Sequence, residues 1–140
     1  MKGSVALIFP AVLYSSLSMA ADVRSCNDLT GRWETMAHSP HVTMGISPSP
    51  ETCGKACVVL NVKYDISNQI YSNRLYCHEG VEGVKGQGPM VMAFEGAQGG
   101  HSIGTYNRQL KLLWSGVIPK SSEGRWEMKM DDYWFKRVGN

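Results

Sequence analysis

Long apolar segments are scarce in this 140-residue chain, and the one that occurs lies at its start. It begins with a single cation, Lys2, is interrupted by Pro10, and ends in Ser18-Met19-Ala20. The apolar stretch is shorter than the roughly 20 residues that a membrane-spanning helix needs, and small residues stand where a signal peptidase reads the chain. We therefore expect residues 1–20 to be a secretory signal, cleaved after Ala20, and the protein to be extracellular or periplasmic without a membrane anchor.

Blocks of charge of one sign are also missing. Setting Lys2 aside leaves 13 of the 14 basic side chains, against 12 acidic ones. Nucleic acids and anionic membranes attract proteins with a clear basic patch, so the sequence indicates neither as a partner. The remaining length of about 120 residues suits one domain around one core. We assign residues 21–140 to that domain.

Cysteines are few, and all four lie within this domain, at Cys26, Cys53, Cys57 and Cys77. An even number in an oxidising compartment indicates two disulfides. Three pairings are possible, and the sequence does not choose among them. A zinc site at Cys53, Cys57 and His78 is the alternative. Because the paired cysteine knuckles of structural zinc sites are missing, we expect no bound metal.

Helical periodicity is absent as well: no run of ten or more residues keeps apolar positions at helical spacing without a Gly, Pro or Ser cluster. Alternation with period two recurs instead, as where Val58, Leu60, Val62 and Tyr64 fall on one face. Turn residues bound each alternating segment, including the proline-rich stretch 47–50. The pattern predicts eight strands, at residues 29–36, 41–46, 57–66, 70–77, 89–95, 102–106, 109–117 and 125–138.

Eight sequential short strands predict an all-β domain, either an eight-stranded antiparallel up-and-down β-barrel or a two-sheet sandwich. A barrel of eight strands is just wide enough to hold one small ligand. No nucleophile elbow or other positional motif of catalysis occurs in the sequence. We therefore expect the barrel, and a binding protein rather than an enzyme.

Motifs at both ends of the domain point to a known family. The first strand contains Leu29-Thr30-Gly31-Arg32-Trp33, tryptophans stand at Trp114 and Trp126 in the last two strands, and Phe135-Lys136-Arg137 ends the last one. In these motifs and in strand number and order, nearly the whole domain resembles the avidin and streptavidin family of calycin-type barrels. The resemblance implies a secreted, biotin-binding homo-oligomer that holds biotin or a biotin-like compound non-covalently in the barrel and needs no cofactor.

The resemblance also implies a set of ligand-binding residues. In the family the matching positions contact the ureido ring of biotin, line the pocket with aromatic side chains, or reach a neighbouring subunit's site. In this chain they are Thr35, Ser39, Tyr64, Phe94, Ser102, Trp114, Trp126 and Asp132.

Three positions depart from the family's pattern. Thr35 replaces an asparagine, Gly104 lacks the second hydroxyl of the sixth strand, and Ile66 stands where the family tends to carry serine or threonine. Each departure removes one polar partner, at about 0.5 to 1.5 kcal/mol net. The sequence therefore predicts weaker biotin binding or a different ligand.

Other interpretations stay open. The tryptophans are also typical of core residues. Tyr64 is equally typical of a strand residue whose hydroxyl is in water, and Asp131-Asp132 is typical of a solvated bend. The alternative function is that of a secreted lipocalin-like inhibitor or effector. It would act on another protein through the segment 47–56, stiffened by a disulfide.

Overall fold

The computed structural model describes residues 23–37, 40–79, 91–95, 100–118 and 131–139. Within them, eight antiparallel strands follow chain order and close into one barrel, because each strand pairs with the next and the last pairs with the first. The up-and-down barrel predicted from the sequence is confirmed, and the sandwich is not formed. The strands are β1 (Gly31–Thr35), β2 (Val42–Thr52), β3 (Cys57–Ile66), β4 (Gln69–His78), β5 (Val91–Glu95), β6 (His101–Asn107), β7 (Leu112–Ile118) and β8 (Asp131–Val138).

The alternation that predicted the strands also sets which side chains face inward. On β3, Leu60 and Val62 are buried in the core, and Val58 and Tyr64 pack against it half-buried. The strand between them exposes Asn61 and Lys63 to solvent. Because successive side chains of a strand point to opposite faces, one apolar row per strand is enough to fill the barrel.

A short 3-10 helix at Cys26–Leu29 closes one end of the barrel. The sequence pattern predicted that Leu29 begins the first strand. In the structure Leu29 ends the 3-10 helix instead. Val23, Cys26 and Leu29 are all buried, and the Trp33 indole Nε1 donates to the Leu29 carbonyl at 2.9 Å. We call this end, built on the 3-10 helix and Trp33, the closed end.

Both expected disulfides are present, and the structure selects their pairing. Cys26 bonds to Cys77, which ties the 3-10 helix to β4, and Cys53 bonds to Cys57 across the turn between β2 and β3. All four cysteines are therefore used as disulfides.

The prediction of a loop at residues 47–50 was wrong, since β2 continues to Thr52. Proline removes one donor from a β-ladder, which is why Pro48 and Pro50 indicated a turn. The strand accommodates them because its register against β3 shifts between Pro48 and Thr52, with two more residues on β2 than on its partner. The inhibitor hypothesis relied on a loop here. Most of that segment is strand, and it leads to the closed end.

Several predictions lie outside the described residues: the secretory signal at 1–20, the beginnings of the fifth and eighth strands at 89–90 and 125–130, and the residues Ser39 and Trp126. Among the residues that the structure describes, no helix has the length and apolar character needed to cross a membrane.

Candidate functional site

A cavity of about 140 Å³ lies inside the barrel, between the closed end and the opposite end. The mouth at that opposite end is bordered by residues where β3 ends and β6 begins, such as Ile66 and His101. Apolar inward-facing side chains form most of the wall. They include Met44, Ile46, Leu75, Met92, Leu113 and Phe135.

Two serines stand in this apolar wall. Ser102 of β6 and Ser115 of β7 are 4% and 8% exposed, and both line the cavity. Their hydroxyl oxygens are 2.5 Å apart and share a hydrogen bond. In the register of β6 against β7, Gly104 is directly opposite Ser115. Ser102 is two residues from Gly104 on β6, so it is the next residue on the same inward face. The pair is a polar point in the cavity wall, at the level of Phe94, which is the cross-strand partner of Ser102.

Aromatic rings form a second part of the wall, towards the mouth. Tyr64 and Phe94 both line the cavity, with ring centroids 5.8 Å apart. Tyr64 also stacks on Tyr71 at 5.3 Å. Contacts among aromatic rings of this kind contribute about 0.5 to 1.5 kcal/mol beyond their buried area, and they fix the rings in place. The wall is thus largely formed before any ligand enters.

Tyr133 of β8 is the remaining phenol of the lining. Burial raises the pKa of its hydroxyl above the ordinary value of 10.0, and the neighbouring Asp131 carboxylate raises it further. The group therefore stays neutral at physiological pH. The described lining contains no Asp, Glu, Lys or Arg, and its one imidazole, that of His101, is at the mouth.

The structure brings four of the predicted site residues together in the cavity lining: Tyr64, Phe94, Ser102 and Trp114. Thr35 is buried but lies outside the lining, and its hydroxyl is engaged by the backbone of Val42, accepting from the amide at 3.0 Å. A second contact at 3.3 Å joins it to His41 Nδ1. Thr35 thus acts in the link between β1 and β2.

Trp114 borders the cavity, but it alternates along β7 with Leu113 and Ser115, which are both buried inside. Strand alternation places its indole on the opposite face, beside its cross-strand partner Trp134, which is 38% exposed. Asp132 is exposed and lies outside the lining, and the adjacent Tyr133 faces the cavity in its place.

Gly104 explains one departure from the family pattern. A Cβ on this residue would lie 2.7 Å from the carbonyl oxygen of Trp114, closer than real Cβ contacts come. The backbones of β6 and β7 approach each other here in a way that excludes any side chain at Gly104. The hydroxyl that the family carries at this position has no room in this barrel.

Sequence reasoning missed Ser115 and Tyr133 as lining residues. Both faces of β7 are apolar, with Leu112, Leu113 and Trp114 in sequence, so alternation does not predict which face is inward. A serine in such a strand is not recognisable from the sequence as a lining residue. Tyr133 and Phe135 are two residues apart, so strand alternation predicts from the sequence that both rings lie on one face of β8.

No group of three or more His, Cys, Asp or Glu side chains suited to a metal ion occurs in the described ranges. Comparisons with known families, with curated proteins and with solved structures find no match to this chain. The fold and cavity therefore define a class of protein and no family: a closed, disulfide-linked eight-stranded β-barrel with an apolar interior chamber.

Proposed function

We propose that this protein is exported and binds one small, neutral ligand non-covalently inside the barrel, with biotin or a biotin-like compound as the first candidate. The observation that carries the proposal is the apolar cavity, which opens at one end and has a small number of inward polar groups, the usual composition of a ligand pocket. The two disulfides are compatible with an oxidising compartment, which supports export.

The size of the cavity bears on the size of the ligand. An engineered protein cavity of about 150 Å³ with a similar apolar lining binds benzene. The cavity here, at about 140 Å³, suits a compound or a ring of that size. Biotin is larger than benzene, so its binding would require part of the molecule to extend into the mouth, beside Tyr64 and Phe94.

The rigidity of the wall supports binding without chemistry. The barrel strands are hydrogen-bonded all round, and every described lining residue except Gly100 lies on a strand. A site that is already organised loses little conformational freedom when a ligand enters, which favours affinity.

The proposal is tested by titrating benzene and biotin separately into isotope-labelled mature protein and following amide shifts of β2, β4 and β7 by NMR. Met92→Trp places an indole in the cavity, because Met92 is 3% exposed and faces inward. Ala93→Trp is the matched control, since its exposed neighbouring position on the same strand faces outward.

We expect saturable shifts with at least one of the two probes in the wild type and in Ala93→Trp, and none in Met92→Trp. Thermal unfolding of all three proteins establishes that the loss reflects a filled cavity in a folded barrel. The absence of saturable binding of either probe to the wild type, or full binding to a folded Met92→Trp, would refute the proposal.

We also propose that subunits associate through the outer face of β5 to β8. Val91, Ile103 and Trp134 are exposed there at 38%, 46% and 38%. The registers join Val91 to Thr105, Thr105 to Trp114 and Trp114 to Trp134, so these side chains share one surface. Contiguous exposed apolar surface is typical of interaction sites, and a second copy of the chain is the occupant that we test below.

A further inference from the structure

We infer that the ligand carries a hydrogen-bond-accepting oxygen on an otherwise apolar, uncharged body, and that Ser102 and Ser115 together hold that oxygen. This inference rests on the proposed function and specifies the ligand class: neutral ketones, esters, lactones, ethers or alcohols of roughly the cavity's size. It gives a binding role to Ser115, which no sequence motif suggested.

The position of the pair is the first step. Both hydroxyls are inside the cavity wall. The nearby inward side chains of Met92, Leu113 and Val117 are apolar, and Tyr133, the cross-strand partner of Ser115, adds a phenol ring. A hydroxyl buried in such surroundings is stable only if it is hydrogen-bonded. Each serine satisfies the other in part, across the 2.5 Å contact that joins β6 to β7.

The hydrogen count of the pair is the second step. Each serine hydroxyl has one hydrogen to donate and two lone pairs to accept with. A single bond between the two oxygens uses one hydrogen, so the second hydroxyl still has its hydrogen. Among the described residues, the two Oγ atoms have no hydrogen-bond partner besides each other. The pair therefore offers one donor to a molecule in the cavity, and an acceptor oxygen is its complement.

The charge of the surroundings is the third step. In the described lining, the one side chain able to neutralise a carboxylate is the imidazole of His101 at the mouth, and no carboxylate is there to neutralise an amine. Transfer of an isolated charge into apolar surroundings is strongly unfavourable. The site thus selects against acids and amines, and the part of the ligand that reaches the serines is neutral.

The test compares two ligands of nearly equal shape, cyclohexanone and methylenecyclohexane, which differ by C=O in place of C=CH₂. Dissociation constants are measured by NMR titration for the wild type, for Ser115→Ala, and for Ser102→Ala/Ser115→Ala. Ser72→Ala is the matched control, since Ser72 is exposed on the outer face of β4.

We expect the double variant to bind cyclohexanone about fivefold to tenfold more weakly, and methylenecyclohexane equally well or better, as the net strength of one hydrogen bond implies. Ser115→Ala keeps the hydroxyl of Ser102 as a lone donor, so its ratio of the two constants should lie between those of the wild type and the double variant, and Ser72→Ala should leave the ratio unchanged. Cyclohexane carboxylate should not bind to any of these proteins.

Equal changes for both ligands in the serine variants would overturn the inference while leaving the proposed function intact, because they would assign the pair a purely structural role. Binding of the carboxylate as tight as that of the ketone would also overturn it. Binding of neither neutral probe to the folded wild type would contradict the proposed function, and this inference with it.

Discussion

The guanidinium of Arg137 lies over the indole of Trp33, with its central carbon 4.9 Å from the ring centroid. Trp33 is 1% exposed, so the guanidinium covers a buried indole at the closed end of the barrel. The same guanidinium donates to the Asp28 carbonyl of that helix. One side chain on the last strand thus joins the first strand and the amino-terminal helix.

Replacing Arg137 with methionine removes both interactions and keeps much of the apolar stem. Cation–π contacts with a buried ring contribute up to about 2 kcal/mol, and a charged hydrogen bond about 1.5 to 3 kcal/mol. We expect Arg137→Met to lower the free energy of unfolding by about 2 to 3 kcal/mol in urea denaturation. Arg74→Met is the control, because the ion pair of Arg74 with Glu51 is exposed on both sides and should contribute much less to stability. Equal losses in the two variants would contradict this account.

The two disulfides should differ in their effect on stability. Cys26–Cys77 closes a separation of 51 residues, and Cys53–Cys57 one of only 4. Loop-entropy estimates give about 4 kcal/mol for the first and about 2 kcal/mol for the second. We expect Cys26→Ala/Cys77→Ala to lose roughly twice as much unfolding free energy as Cys53→Ala/Cys57→Ala. The opposite order in denaturant titrations would show that the link from helix to β4 is not what stabilises the closed end.

Asp28 should make the barrel sensitive to acid. Its carboxylate accepts from the Arg24 amide at 3.0 Å, from the Ser25 hydroxyl at 2.9 Å and from the Ser25 amide at 2.8 Å. These hydrogen bonds, that of the Arg24 amide first, lower the pKa of Asp28 below its ordinary value of 3.8. A carboxyl whose pKa is lower in the folded than in the unfolded state stabilises the fold at pH values above its unfolded-state pKa. This stabilisation is lost as the pH falls through its folded-state pKa.

Asp28→Asn has no such titration. We expect its unfolding free energy to be lower than that of the wild type at pH 7, and the difference to shrink as the pH falls below 3.8. Parallel urea titrations from pH 7 down to the acid limit of folding measure the difference. A constant gap between the two proteins across this range would show that the charge of Asp28 has no part in stability.

Gly104 should tolerate no side chain. A Cβ there meets the Trp114 backbone oxygen at 2.7 Å, so β6 and β7 must separate to admit it. We expect Gly104→Ala to lose about 1 to 3 kcal/mol, as overpacked core positions do. Gly45→Ala serves as the control, since its nearest neighbour would be the Lys63 carbonyl oxygen at an ordinary 3.8 Å. Equal stability of the two variants by thermal unfolding would refute the close approach.

The outer face of β5 to β8 gives a prediction for assembly. If copies of the chain associate there, a carboxylate at its centre should separate them, because burying an unpaired charge is unfavourable. We expect the wild type to sediment as an oligomer, Ile103→Glu to sediment as a single chain, and Ser72→Glu, on the exposed face of β4, to behave as the wild type. A monomeric wild type at high concentration would rule out self-association through this face.

The sequence predicted the strands well where alternation was clean. Val58, Leu60, Val62 and Tyr64 face inward as expected, because they alternate with the exposed Asn61 and Lys63. It failed at Pro48, where a register shift, invisible in the sequence, lets a strand pass through two prolines. The resemblance supplied Tyr64, Phe94 and Ser102 as cavity residues. It also supplied Trp114, which borders the cavity although the alternation of β7 turns its indole outward, and Asp132, which is exposed and outside the lining.

The amino-acid sequence by itself determined the number of strands, their order and the presence of two disulfides, because these follow from local alternation, turn residues and the count of cysteines. Only the tertiary structure decided the rest. Which cysteines pair, which face of β7 turns inward, and where Ser102 meets Ser115 depend on the register between strands distant in sequence. A shift of one residue in that register would exchange inside for outside, and no local pattern in an evenly apolar strand can fix it.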